Sequence, residues 1–124
     1  MKHSLTKHAL YRLTIFAVAL LALAVMSMAR TMSTSVNIVN NSDHAIRNVY
    51  LSHVNVDDWG ADQLSNGASI GSGQSYNLSN VQCDQNQVKV IGEDVDGCFV
   101  STVVNCGSSS TWTITADTAR DCGN

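Results

Sequence analysis

The chain has 124 residues, seven basic and ten acidic side chains, no proline and a formal net charge of −3. After residue 29 only Arg30, Arg47, Lys89 and Arg120 remain against all ten acidic side chains, a net charge of −6. Nucleic acid and anionic lipid surfaces are bound through basic faces, so this balance argues against both as partners.

Residues 1–29 have the pattern of a secretory signal peptide. Three basic residues, Lys2, Lys7 and Arg12, precede a nearly unbroken apolar run at residues 13–26. Ser27 and Ala29 then occupy the small-residue positions that a signal peptidase needs. We predict cleavage after residue 29, one domain of residues 30–124, and a periplasmic or secreted protein with no membrane attachment. The alternative is an uncleaved anchor, although the apolar run is shorter than the roughly 17–25 residues of a membrane span.

Beyond residue 30 the sequence has the period of strands rather than helices. Short alternating or β-branched runs occur at residues 35–40, 45–52, 74–81, 87–92, 98–105 and 111–117, separated by segments rich in Asn, Asp, Gly and Ser. This spacing predicts an all-β domain, a small antiparallel β-sandwich or open barrel of about six to seven strands. The one long connection, residues 53–73, could carry a helical turn at "WGADQL" (59–64).

Four cysteines lie in the predicted mature chain, and no CxxC pair suggests a zinc site. An even number of cysteines in a small exported domain indicates disulfides. A hairpin turn at "EDVDG" (93–97) would place Cys83 opposite Cys106. A second hairpin turn at "CGSSS" (106–110) would bring Cys98 close to Cys122. We therefore predict the disulfides Cys83–Cys106 and Cys98–Cys122.

The stretch "LSHVNVDDWGADQL" (51–64) is the candidate binding loop. Its His and Asp side chains are possible metal ligands, together with His44, but their spacing fits no metal signature. We expect no metal here and interpret the aspartates as solvent-exposed turn formers. The candidate binding residues of this loop are His53, Asp57, Asp58, Trp59 and Asp62.

Trp59 has two interpretations. An aromatic side chain in a long loop can be an exposed platform for a sugar or a protein partner. We favour the alternative, in which Trp59 is mostly buried and packs with Leu64 over one end of the sandwich. Trp112 alternates with Ile114 and Ala116 and is expected in the core.

Catalytic motifs are missing from the sequence. There is no G-x-S-x-G turn, the cysteines are assigned to disulfides, and Glu93 is the only glutamate. The "DxDG" within residues 94–97 resembles the start of a calcium loop, but the later glutamate of such a loop is missing, which favours a hairpin turn. We expect no catalytic residues and no cofactor, and a small hydrolase is the weakest alternative.

The chain also resembles a family of small exported bacterial proteins of unknown function, which has a WGxDxL loop and a Cys/DG/Cys hairpin. Members are sometimes named as lyases, for which the residues here offer no support. The matching segments are "NNS" (40–42), "VYLS" (49–52), "WGADQL" (59–64), "GSGQS" (71–75), Cys83, "DG" (96–97) and "VVNC" (103–106). The resemblance implies an exported domain, and it implies no particular activity.

Together these features predict a non-catalytic periplasmic or secreted binding module. Its partner would be a protein, a peptide or an envelope glycan, and we expect the module itself to be a monomer. The alternative is an inhibitor or immunity-type protein, in which a small, rigid, acidic domain masks the basic active site of a secreted hydrolase.

Overall fold

A computed structural model describes residues 31–83 and 85–123. The predicted signal peptide and its cleavage site therefore lie outside the described residues. The strands are β1 (Met32–Asn41), β2 (Ile46–Ser52), β3 (Gln74–Cys83), β4 (Gln87–Asp94), β5 (Phe99–Asn105) and β6 (Ser110–Thr115). Each corresponds to one of the six runs in the sequence. The helical turn suggested at residues 59–64 lies instead at Ser65–Gly67, as a single 3-10 turn.

Two three-stranded sheets form the domain, which confirms the predicted β-sandwich or open barrel. The first sheet has the order β3-β1-β6, and the second has the order β2-β4-β5. All neighbouring strands are antiparallel except β1 and β6, which run parallel with Ile38 beside Trp112. The prediction that the last two strands form a hairpin is therefore wrong. The link after β5 instead carries the chain across to the other sheet, where Trp112 and Ile114 join the core.

The core lies between the sheets and follows from strand alternation. Val36 and Ile38 of β1 are fully buried, as are Val49 of β2 and Val90 of β4. Each such side chain contributes about 1.5–3 kcal/mol through removal of apolar surface from water. Trp112 is 8% exposed and belongs to this cluster, so the prediction that it lies in the core is confirmed.

Asn40, at the end of β1, is a buried polar residue that organises the β1–β2 connection. Its Nδ2 donates to the carbonyls of His44 and Ile70, both at 2.8 Å. Its Oδ1 accepts from the backbone N–H of Ser42 at 3.1 Å and from the Ser42 hydroxyl at 2.7 Å. Because all of these groups are paired, the "NNS" segment has a structural role, and its hydrogen bonds offset the cost of removing the Asn40 amide from water.

Both disulfides form with the pairing that the sequence predicts. Cys83–Cys106 joins the end of β3 in the first sheet to the residue that follows β5 in the second. Cys98–Cys122 holds the C-terminal segment at the start of β5, where Phe99 and Asp121 form a backbone bridge. This second pair thus depends on the return of the C-terminal segment and not on a β5–β6 hairpin. Each disulfide stabilises the domain by roughly 2–4 kcal/mol.

These disulfides indicate an oxidising compartment, because cytosolic thiols are normally kept reduced. Within the described part of the chain, no helix is long and apolar enough to cross a membrane.

Candidate binding cleft

The long connection after β2 runs along the exposed edge of that strand. Gly60 donates its backbone N–H to the carbonyl of Leu51 at 3.3 Å, and Gln63 donates to the carbonyl of Val49 at 2.7 Å. Farther along, Ile70 and Ile46 exchange two backbone hydrogen bonds of 2.8 and 3.0 Å. The connection therefore protects an edge strand that would otherwise expose a row of unpaired backbone groups.

Asp62 fixes this arrangement, which corrects the prediction that it points to solvent. One carboxylate oxygen accepts the backbone N–H of Val49 at 2.9 Å and that of Leu64 at 3.1 Å. The other accepts from the amide of Asn48 at 2.8 Å. Burial acts to raise the pKa of Asp62, but these hydrogen bonds outweigh it and the pKa is lowered. The aspartate of the "WGADQL" segment is thus a structural residue.

Trp59 lies on the outer face of the second sheet and not over an end of the sandwich. It is 40% exposed, so the prediction that it is mostly buried against Leu64 is wrong. Its ring stacks on Tyr50 at 5.5 Å between centroids and meets Phe99 edge-on at 4.8 Å. Ile91, the β4 neighbour of Tyr50, is 1% exposed but lies outside the inter-sheet core. We attribute the burial of Ile91 to this aromatic cover, since an outward-facing side chain needs one.

The remaining candidate residues of the loop contact polar partners within the protein. The Asp58 carboxylate contacts Nδ1 of His53. It also accepts hydrogen bonds from the His53 backbone N–H and from the Ser52 hydroxyl, both at 3.1 Å. Hydrogen bonds from His53, followed by that from Ser52, lower the pKa of Asp58. Asp57 is exposed and lies 3.4 Å from the ammonium of Lys89. Of the five candidates, His53 and Asp58 therefore contact each other, whereas Asp57, Trp59 and Asp62 contact other residues.

A different group of side chains lies close enough together to hold a metal ion. Among the described residues this group is His44, Asp94 and Asp96, whose ligand atoms lie within 4.8 Å of one another. Arg120 occupies the same cluster, and its guanidinium donates to Asp94 at 2.9 and 2.7 Å and to Asp96 at 3.2 Å. The carboxylates thus already share a positive charge, and the cluster is a salt-bridge network.

Asp94 is the buried centre of that network. It is 1% exposed, and its other oxygen accepts the backbone N–H groups of Asp96 at 2.9 Å and Cys98 at 3.0 Å. Burial acts to raise its pKa, but the bonds from Arg120 and from the two backbone groups leave the pKa lowered. Asp94 therefore closes the β4–β5 hairpin turn, in which Gly97 takes a φ of +80°.

An open cleft of about 580 Å³ lies at the opposite end of the second sheet. It lies where β2 ends, β4 begins and β5 ends. The lining residues are His53, Val54, Asn55, Val56, Gln85, Asn86, Gln87 and Asn105. A smaller cavity of about 170 Å³ shares His53 and Gln87 with it. Volumes of several hundred Å³ are typical of small-ligand sites.

Amide side chains dominate the lining of this cleft. Gln87 donates to the amide oxygen of Asn105 at 2.9 Å across the β4–β5 pair. The side-chain amides of Asn55, Gln85 and Asn86 have no hydrogen-bond partner among the described residues, so their donors and acceptors remain available to a ligand. Backbone bonding fixes the position of one of them, since Cys106 donates its N–H to the carbonyl of Asn86 at 2.8 Å.

Of the residues singled out in the sequence, His53 alone lines the main cleft. The amides were missed because they come from three separated segments, 55, 85–87 and 105. The available signal was the run "QCDQNQ" at residues 82–87, where amide residues cluster directly around a cysteine. A disulfide partner at Cys106 implies that residue 105 lies near this run, and the two segments together would have indicated the cleft.

No known protein family matches the chain, and no curated protein matches it either. One solved structure that does match is the NMR structure of a protein from Eubacterium rectale. It is 14% identical, the match covers 76% of this chain and 91% of the other, and the TM-score is 0.46.

Proposed function

We propose that the protein is a non-catalytic binding module of the periplasm or the extracellular medium, and that its ligand occupies the amide-lined cleft. The observation that carries this proposal is the convergence of amides from three chain segments on one cavity of about 580 Å³. Polar groups that converge in a cavity and are not used by the fold itself are typical of a ligand site.

Binding without catalysis is supported by the state of the reactive side chains. Asp58, Asp62 and Asp94 each accept two or more hydrogen bonds from the protein, which lower their pKa values. A carboxylate with a lowered pKa is a weak general base, and it is far from the pH at which a general acid works. The Ser52 hydroxyl lies 2.6 Å from the carbonyl of Val56 and 3.1 Å from the Asp58 carboxylate, so its single proton is shared between acceptors of the loop.

The predicted export agrees with the two disulfides, which need an oxidising compartment to persist. We also propose, from the order of its short motifs, that the chain belongs to the family of small exported proteins with a WGxDxL loop. In that case Asp62 of the motif holds the loop against β2, and Trp59 covers the outer face of the second sheet.

Capture from cell envelope and culture medium tests the proposal. The purified protein is immobilised beside the double variant Gln85→Ala/Asn86→Ala and the control Asn77→Ala, an exposed amide on β3 of the other sheet. We expect the parent and the control to retain the same material and the double variant to lose it. Equal retention by all three proteins, or retention of nothing, would contradict a ligand site in the cleft. A stoichiometric hydrolase held independently of the cleft would favour the inhibitor alternative.

A further inference from the structure

We infer that the ligand of the cleft is an uncharged oligosaccharide. This inference rests on the proposed function, since it names the chemical class that the same cleft would bind. It is carried by three properties of the lining: abundant amides, no formally charged Lys, Arg, Asp or Glu among the described lining residues, and a small aliphatic surface beside the amides.

The amides match the hydroxyl groups of a sugar. Each Asn or Gln side chain offers two N–H donors and one acceptor oxygen in a plane. A sugar hydroxyl both donates and accepts, so neighbouring hydroxyls can bond to the two ends of one amide. Asn55 lies on one segment and Gln85 and Asn86 lie on another, so such groups come to the cleft from two separate parts of the chain. The paired Gln87 and Asn105 leave further donors and acceptors beside them.

Charge argues against an anionic ligand. No Lys or Arg is among the described lining residues, and the neighbouring Lys89 already pairs with Asp57 at 3.4 Å. The predicted mature chain has a net charge of −6, which repels anions at long range. No Asp or Glu is among the described lining residues either, and Asp58 of the adjoining smaller cavity contacts His53. The described lining therefore favours a neutral ligand over an anionic or a cationic one.

The aliphatic part of the lining fits the carbon face of a sugar ring. Val54 and Val56 line the cleft, and Val56 is 57% exposed. A pyranose ring presents C–H groups on one side, and contact with valine methyl groups removes both surfaces from water. Trp59, the obvious stacking platform, is not a lining residue and is already engaged by Tyr50 and Phe99. Binding therefore uses the amides and not the exposed tryptophan.

Titration with defined oligosaccharides tests the inference. The probes are chitotetraose and cellotetraose as neutral ligands, tetragalacturonate as an anionic one, and a tetra-alanine peptide as a non-sugar control. Binding is followed by amide chemical shifts in two-dimensional NMR spectra of the purified protein. We expect at least one neutral sugar to shift residues 54–56, 85–87 and 105, and to bind at least tenfold more tightly than tetragalacturonate or the peptide.

Variants locate the binding and separate the two proposals. Gln85→Ala/Asn86→Ala should weaken binding of the neutral sugar at least tenfold, whereas Asn77→Ala and Trp59→Ala should leave it within twofold. A sugar that binds equally to the double variant, or only in its anionic form, would overturn the inference. If neither neutral sugar binds while the cleft still captures envelope material, the ligand class is wrong and the proposed function stands. If Gln85→Ala/Asn86→Ala also captures the same envelope material as the parent, both the ligand class and the proposed function are wrong.

Discussion

The two ends of the second sheet use polar side chains in opposite ways. At one end, which we call the closed end, Asp94 binds Arg120 and two backbone N–H groups, and Cys98–Cys122 fastens the C-terminal segment. The carboxylate of Asp94 and the guanidinium of Arg120 are thus both paired within the protein. This end therefore contributes to stability and offers little to a ligand.

At the other end, the open end, three segments meet in a cleft whose amides are largely unpaired among the described residues. The disulfide Cys83–Cys106 lies two residues before Gln85 and one residue after Asn105, so it holds both segments in place. The two disulfides therefore differ in what they hold: Cys98–Cys122 fastens the C-terminal segment to β5, and Cys83–Cys106 joins two segments of the cleft.

Removal of the disulfides gives the largest expected effect and tests this comparison directly. We expect Cys83→Ala/Cys106→Ala and Cys98→Ala/Cys122→Ala each to lower the free energy of unfolding by roughly 2–4 kcal/mol. Only the first pair should also weaken ligand capture, because only it joins the segments of the cleft. Urea denaturation measures the first effect and retention of envelope material the second. Equal loss of capture in both variants would show that the two ends are not independent.

Asp94→Asn should have the next largest effect. The substitution keeps the shape of the side chain but removes the charge that Arg120 and two backbone N–H groups contact. Hydrogen bonds to charged groups contribute roughly 1.5–3 kcal/mol, and a loss of that size in the free energy of unfolding is expected. Asn86→Ala at the open end is the control, with a change within about 0.5 kcal/mol. Similar losses of unfolding free energy in the two variants would contradict the view that polar side chains are paired at the closed end and unpaired at the open end.

Trp59→Ala should lower the free energy of unfolding less than Trp112→Ala does. Trp112 is 8% exposed, and its truncation should cost roughly 3–5 kcal/mol, the range for core aromatics. Trp59 is 40% exposed and covers the sheet from outside, so we expect a loss of roughly 1–2 kcal/mol from its aromatic contacts and the uncovered Ile91. Thermal and urea denaturation measure both. A loss at Trp59 as large as that at Trp112 would contradict the role of Trp59 as an outer cover of the second sheet.

The smallest expected effect is the pH dependence between pH 7 and pH 5. Asp58, Asp62 and Asp94 have pKa values below their ordinary range, so their stabilisation is fully present above the unfolded-state pKa of about 3.9. It is lost as the pH falls through the folded-state values. The difference in unfolding free energy between the parent and Asp94→Asn should therefore be constant from pH 7 to pH 5 and narrow below about pH 4. A difference that already narrows at pH 6 would contradict a lowered pKa at Asp94.

The strands were predictable because they depend on local information, and Cys83–Cys106 followed from the local β4–β5 hairpin. Cys98–Cys122 was predicted correctly, but from a β5–β6 hairpin that does not form. Alternation along each run places Val36, Ile38 and Trp112 on the inner faces, and turn residues separate the runs. Which distant strands pair with each other was harder to predict from the sequence. The sequence suggested β5 as the neighbour of β6, but β6 lies beside β1 in parallel, a contact between residues more than 70 positions apart. Nothing in the local pattern of either strand encodes that choice.

By itself, the sequence determined an all-β, disulfide-linked domain with Trp112 inside, because burial period, turn chemistry and cysteine number are properties of short segments. The tertiary structure alone decided where Trp59 and Asp62 lie and that amides from residues 55, 85–87 and 105 share one cleft. The physical reason is that a loop side chain has no periodic pattern to constrain it. Its environment is set by whichever strand edge or sheet face the folded chain brings against it.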